Sequence, residues 1–227
     1  YGLSPGHWRQ TISSGNARTI HYFDALWRPV LTRTFDAADE GNTRSVVLRK
    51  FDGLGQNTFT SYAQRANLLV TDAVAGVAKQ YDALGRITVQ VEDSELGALT
   101  TYNYFEAPFK TRQVNPRNKT TTTTYTALDQ PEQAHISTIA LPEGASVTIN
   151  RDTFGKPLSI VRGPSPSNVR YYVYDSNELL CKTIEPETNA TIQALDAANN
   201  VTWRAAGVNL TAASCDTASV PAANKVT

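Results

Sequence analysis

Six aspartates recur along the chain, at positions 24, 52, 82, 152, 175 and 196. Carboxylates can divide acid and base roles, but in glycosidase-type chemistry two of them must converge within about 5 to 10 Å. Their nearest company is not catalytic. The histidines at 7, 21 and 135 share no motif with any aspartate. No Gly-x-Ser-x-Gly elbow, glycine-rich phosphate loop or His-Glu-x-x-His helix is present. The two cysteines, Cys181 and Cys215, are too few for a structural zinc site. They read either as buried thiols or as one internal disulfide. The sequence therefore carries no catalytic residue, no metal site and no cofactor in this reading. The expectation is a protein that is not an enzyme.

A second chemistry is available to the aromatics. Trp8, Trp27, Trp203 and the pair Tyr171 and Tyr172 could grip a carbohydrate or a protein if exposed on a β-surface. Aromatic side chains bury large areas, so packing between strands is the competing expectation.

The elements that must position these groups come from an internal repeat. Tyr81-Asp82-Ala83-Leu84-Gly85-Arg86-Ile87 is its clearest unit, with Phe51-Asp52-Gly53-Leu54-Gly55-Gln56 and Phe23-Asp24-Ala25-Leu26-Trp27-Arg28 upstream. Weaker copies begin at Phe105, Tyr125, Arg151, Tyr174 and Leu195. Spacings of about 20 to 30 residues suit one supersecondary unit per repeat. In each unit the Asp can accept hydrogen bonds from backbone N–H groups just ahead of it. A glycine three positions later can take positive φ without a Cβ clash. Asp-Ala-Leu-Gly is thus a type I turn closed by a left-handed residue, a common hairpin connection. Gly55, Gly85 and Gly155 take that position, and Asp24, Asp52, Asp82, Asp152, Asp175 and Asp196 serve as turn residues. Asn199 can replace the glycine, whereas Trp27 and Glu178 tolerate the left-handed region poorly, so their two turns are expected to differ.

Between turns the pattern is strand-like. Ile87, Val89 and Val91 alternate with Thr88, Gln90 and Glu92, which predicts one buried face. Tyr62 to Ala78 is Ala-rich and could hold a short helix. Asp39-Glu40-Gly41-Asn42 and Gly163-Pro164-Ser165-Pro166-Ser167-Asn168 read as loops. The predicted fold is all-β: tandem antiparallel hairpins building a curved or spiralling sheet. Residues 1–18 are a lead-in or partial repeat, residues 19–204 the array, and residues 205–227 an Ala/Ser/Thr-rich tail or the start of another segment.

These units resemble the RHS/YD-repeat family, whose pattern approximates Tyr-Asp-x-x-Gly-Arg-Leu followed by a short strand, a polar turn and a Thr/Tyr-rich return strand. Val114-Asn115-Pro116-Arg117-Asn118-Lys119-Thr120 through Tyr125 is similar to the family's second half, with Asn115 in place of Asp. The resemblance covers about residues 19 to 203 and implies part of a hollow β-shell. In bacterial toxins such a shell encloses a toxin segment, and in teneurins a related shell supports adhesion. It further implies a bacterial protein, secreted or at the cell surface, whose partners are the rest of its own polypeptide and an enclosed toxin segment. The family's Pro-rich self-cleavage signature has no counterpart in residues 205–227. The alternative reading is a free-standing carbohydrate- or protein-binding β-module.

Charge and hydropathy narrow the remaining classes. Lys+Arg and Asp+Glu both total 21, so no global attraction to nucleic acid is implied. No apolar run approaches the roughly 20 residues of a membrane-spanning helix. The chain contains no Met and begins Tyr1-Gly-Leu-Ser-Pro, which reads as a piece of a longer polypeptide.

Overall fold

The computed structural model describes residues 7–127, 133–163 and 168–227. The fold is all-β, as the sequence predicts. The described residues divide into two compact units, one running up to Tyr104 and including Gln113–Asn118, the other made of Phe105–Arg112 and the described residues from Lys119 onward.

The first unit is built from β1 (Trp8–Ser14), β2 (Ala17–Phe23), β3 (Pro29–Asp36), β4 (Ser45–Phe51), β5 (Asn57–Ser61), β6 (Gly76–Tyr81), β7 (Ile87–Ser94) and most of β8 (Gly97–Glu106). Each strand pairs antiparallel with its neighbour in the chain. Because connections alternate ends, the turns at Asp24, Asp52 and Asp82 all fall at the same end of their strands. The short strand β9 (Lys110–Val114) follows.

The second unit continues the plan with β10 (Thr120–Tyr125), β11 (Ile136–Ala140), β12 (Ser146–Arg151), β13 (Pro157–Arg162), β14 (Asn168–Tyr174), β15 (Leu180–Glu185), β16 (Asn189–Leu195) and β17 (Val201–Val208). Pairing is again antiparallel and between chain neighbours. β17 carries ladder pairing up to Val208, and Ala205 and Val208 are both buried.

Two irregular segments supply the cores. In the first unit, Leu31, Val46, Leu48 and Leu68 form a buried cluster with Tyr22, Val70 and Val74 packed against it. Leu68, Val70 and Val74 belong to the β5–β6 connection, which lies over the sheet instead of forming the helix expected between Tyr62 and Ala78. Gln64 and Val46 exchange two backbone hydrogen bonds, 2.8 and 2.9 Å. Asp72 accepts from the Leu69 N–H at 2.7 Å, closing a local turn. A short polar side chain that bonds its own backbone in this way competes with helix formation. Conversely, Glu40–Thr43 forms one helical turn where a loop was expected. The Asp39 side chain accepts from the Asn42 N–H at its start.

In the second unit, Ala190, Ile192, Ala205, Val208 and Val220 form the buried cluster, with Ile184, Trp203 and Leu210 around it. Val220 and Leu210 come from the segment after β17. Cys215 of that segment is bonded to Cys181 of β15. The β14–β15 ladder skips Cys181, pairing Val173 with Lys182 and Tyr174 with Leu180. This bulge leaves both Cys181 and Lys182 buried. The Lys182 ammonium donates to Ala212 O at 2.8 Å, Ser214 O at 3.3 Å and Asp216 Oδ2 at 2.7 Å. A fully enclosed ammonium needs acceptors for its three protons, and the tail provides three.

The alternation predicted for β7 does not appear as burial. Ile87 to Glu92 are all half-buried, the apolar and the polar residues alike. Neither buried cluster includes a β7 residue, so the two faces of this strand differ little in exposure.

Candidate functional site

The recurrent turns share one geometry. At Asp82, the backbone N–H donates to Arg86 O at 3.0 Å and Gly85 N–H returns to Asp82 O at 3.0 Å. Asp82 Oδ1 accepts from the N–H of Leu84 at 2.9 Å and of Arg86 at 3.0 Å. Asp24, Asp52, Asp152, Asp175 and Asp196 each accept from the same two relative positions. Gly55, Gly85 and Gly155 have φ of 85°, 78° and 84°.

Trp27 and Glu178 were expected to turn differently, and they do not. They sit at φ 59° and 64°, and their N–H groups close the same bond to Asp24 O and Asp175 O. A non-glycine residue there costs about 1 to 2 kcal/mol. Two backbone bonds and two bonds to an ionised carboxylate outweigh that cost, at about 1 kcal/mol or more each. The same turn is also built without aspartate. Asn115 caps Arg117 N–H, and Leu141, whose side chain has no acceptor, closes on Gly144 and Ala145 through backbone bonds alone. The Glu106 copy differs: its carboxylate pairs with Lys110 at 3.0 Å and Arg112 at 2.7 Å. The copy starting at Tyr125 runs into residues 128–132, outside the described residues, as do residues 164–167 of the Gly163 loop.

Position four after the aspartate also matters, and the sequence reading overlooked it. Arg28 and Arg86 fold back onto Asp24 and Asp82, Nε and Nη2 both meeting the carboxylate Oδ2 at 2.6 to 2.7 Å. Lys156 reaches Asp152 at 3.5 Å. The backbone N–H and then the guanidinium of Arg86 hold the Asp82 carboxyl below its ordinary range. The backbone N–H and then the side-chain amide of Asn200 do the same for Asp196. All six carboxylates are engaged by backbone N–H groups of their own turns. Among the described residues no cluster of His, Cys, Asp or Glu could hold a metal ion. Among the same described residues no helix is long and apolar enough to cross a membrane.

The aromatics are distributed in three ways. Trp203 is packed beside the second core, with the Lys225 ammonium 4.4 Å from its ring centroid, so one face is taken. Tyr171 and Tyr172 are adjacent in β14 and point to opposite faces, so they do not make one platform. Tyr171 is exposed and borders an open groove of about 530 Å³ with Leu158, Val173, Ile184, Thr211 and Ala213. Tyr172, half-buried, borders the same groove.

Trp8 and Trp27, in contrast, are brought together. Their rings stack at 5.0 Å between centroids and 19° between planes. The Phe23 ring lies 5.8 Å from Trp27. Trp8 and Trp27 remain 57% and 60% exposed. Trp8 is cross-strand partner to Phe23, and Gln10 to His21 in the next pair on that face. His21 Nδ1 lies 3.2 Å from Thr32 Oγ1, which also accepts from Arg49 Nη1 at 2.9 Å. Tyr22, one residue over, packs on the opposite face against the core cluster. The Trp8–Trp27 face is thus the one that the β5–β6 connection leaves uncovered.

No protein-family model matches the sequence, and no curated protein matches it significantly. Among solved structures, the chain is similar to TcdB2-TccC3, with a TM-score of 0.46 and 11% identity over 87% of this chain and 13% of that one. It is also similar to TcdB2-TccC3-Cdc42, with a TM-score of 0.42 and 12% identity over 90% of this chain and 14% of that one. A third is the Photorhabdus luminescens Tc holotoxin pore, at a TM-score of 0.19 and 10% identity, over 91% of this chain and 17% of that one. The chain spans under a fifth of each of these chains.

Proposed function

We propose that this chain is a non-catalytic β-repeat scaffold, part of an RHS-type wall that encloses a toxin segment or presents an interaction surface. The carrying observation is the Asp-capped turn, repeated at six aspartates with each carboxylate engaged by backbone N–H groups of its own hairpin. Chemistry by carboxylate pairs needs groups pushed to different pKa values in one site. Here the resolved shifts at Asp82 and Asp196 go in the same direction and have the same local cause. The resemblance of Tyr81 to Val91 to the YD pattern supports the wall reading, and with it a bacterial, secreted or surface setting.

The test has two arms. A screen of the isolated chain against polysaccharides, peptides and nucleic acids should give no turnover. Robust turnover abolished by Asp82→Asn in a protein that still folds would sink the scaffold reading. In a parent polypeptide, limited proteolysis should spare an enclosed segment until the array is unfolded. Cleavage of that segment at the rate of an unstructured chain would remove the enclosure reading and leave the presented surface.

A further inference from the structure

We propose that the groove beside Tyr171 in the second unit binds a small organic cation, whose apolar body lies on Leu158, Tyr171 and Ile184 and whose charged nitrogen is held by Asp175. The site goes beyond the scaffold reading and stands apart from whether the array encloses anything. Four observations carry it.

The first is the cavity. The groove holds about 530 Å³, within the size range of small-molecule sites. Leu158 and Tyr171 stay 42% and 49% exposed along it, and Val173 and Ile184 continue the apolar lining. The second is a fixed wall. Thr211 and Ala213 complete the lining. The segment that bears them is pinned by the Lys182 ammonium, which donates to Ala212 O and Ser214 O, and by the Cys181–Cys215 bridge. A wall held in this way is formed before a ligand arrives, so binding costs little ordering.

The third is an unspent carboxylate oxygen. Asp24, Asp82, Asp152 and Asp196 each turn Oδ2 to the side chain four residues on, respectively Arg28, Arg86, Lys156 and Asn200. At Asp175 that residue is Leu179, which has no side-chain donor. Both turn N–H groups go to Asp175 Oδ1, which leaves Oδ2 without a hydrogen-bond or ion-pair partner among the described residues. The fourth is charge. Asp152, Asp175 and Glu178 border the groove, and its lining contains no Lys or Arg. The nearby Lys156 ammonium is shared between Asp152 and Glu178. Asp175 is thus the carboxylate left for a ligand, and the exposed Tyr171 ring adds a surface that attracts cations. A neutral ligand of the same shape would cover the carboxylate without pairing it, which costs binding energy.

The experiment titrates the whole chain with phenethylamine and hexylamine, reading calorimetry and backbone amide chemical shifts. Phenylethanol serves as the neutral match, phenylpropionate as the anion, and an acetylated Lys-Phe peptide amide as a separate arm. The expected result is saturable binding of at least one amine with shifts at the Tyr171, Val173 and Ile184 amides. Phenylethanol should bind about tenfold more weakly than phenethylamine, the size of one lost charge-assisted hydrogen bond, and phenylpropionate more weakly still. Asp175→Asn removes the charge but keeps the turn, because the amide oxygen accepts as Oδ1 does. Leu179→Arg supplies the missing cation four residues on, as Arg28 and Arg86 do for their own aspartates. Each substitution should weaken amine binding about tenfold in a protein of unchanged circular dichroism. Asp82→Asn, in the other unit, should bind as the parent does. The site is overturned if neither amine binds saturably, if phenylethanol binds as tightly as phenethylamine, or if amine binding survives both Asp175→Asn and Leu179→Arg. Tighter capture of the peptide than of either amine would assign the groove to a protein segment and overturn the small-molecule assignment. None of these outcomes touches the scaffold reading, which the turnover screen decides.

Discussion

Replacing both Cys181 and Cys215 with serine removes the covalent tether between β15 and the segment after β17. The bridge closes a loop across a sequence separation of 34 residues. The loop-closure entropy it withholds from the unfolded chain is worth about 4 kcal/mol. The tail's own contacts remain: Val220 in the core cluster, the Arg204–Val226 backbone pair and the three acceptors around the Lys182 ammonium. The variant should therefore still dock its tail, with the second unit less stable by about 4 kcal/mol. Urea unfolding followed by tryptophan fluorescence reads this, since Trp203 lies under Lys225. Hydrogen exchange at the Arg204 and Val226 amides reads docking separately. A loss below about 1 kcal/mol, with unchanged amide protection, would refute the reasoning: the tail would then be held by packing alone.

Three other outcomes follow from the geometry. Glu178→Asn should stabilise the protein by about 0.5 to 1 kcal/mol in thermal unfolding. Asn tolerates positive φ, and the exposed ion pair that Glu178 makes with Lys156 contributes little. Gly76→Ala should cost about 2 to 3 kcal/mol or prevent folding, because a Cβ there would stand 2.3 Å from Thr60 O and 2.7 Å from Ser61 Cα, which are backbone atoms. Stability should also fall on acidification. The folded pKa values of Asp82, Asp196 and Asp216 are lowered, by the Arg86 N–H, the Asn200 N–H and the Lys182 ammonium respectively. That contribution is complete above the unfolded carboxylate value near about 4 and disappears as pH drops through the folded values. Equal urea midpoints at pH values of about 7 and 3 would contradict it.

What the sequence made legible was local. An Asp followed three residues later by Gly determines its own turn, because the capping atoms and the positive-φ residue sit within five residues of each other. Trp27 and Glu178 misled for the same reason: propensity at one position was weighed without the carboxylate bonds that override it. The cores were not legible. Leu68 and Val220 cover sheet faces from irregular segments, and no periodicity announces where a loop will lie. Strand alternation at Ile87, Val89 and Val91 implied a covering layer that the fold puts elsewhere, over β3–β4 and β16–β17. Trp8 and Trp27 could each be named as candidates, but their meeting depends on the β1–β2 register, which brings Trp8 opposite Phe23.

The antiparallel pairing of chain-neighbour strands described within each unit has a mechanical consequence. Within each unit, a pull along the chain loads the ladder bonds one at a time, as in peeling, instead of shearing a whole strand at once. Such a structure yields at low force and extends in small steps, hairpin by hairpin. The Cys181–Cys215 bridge sets a limit on that extension. The residues between the two cysteines stay out of the stretched contour, withholding about 110 to 120 Å until the bond is reduced.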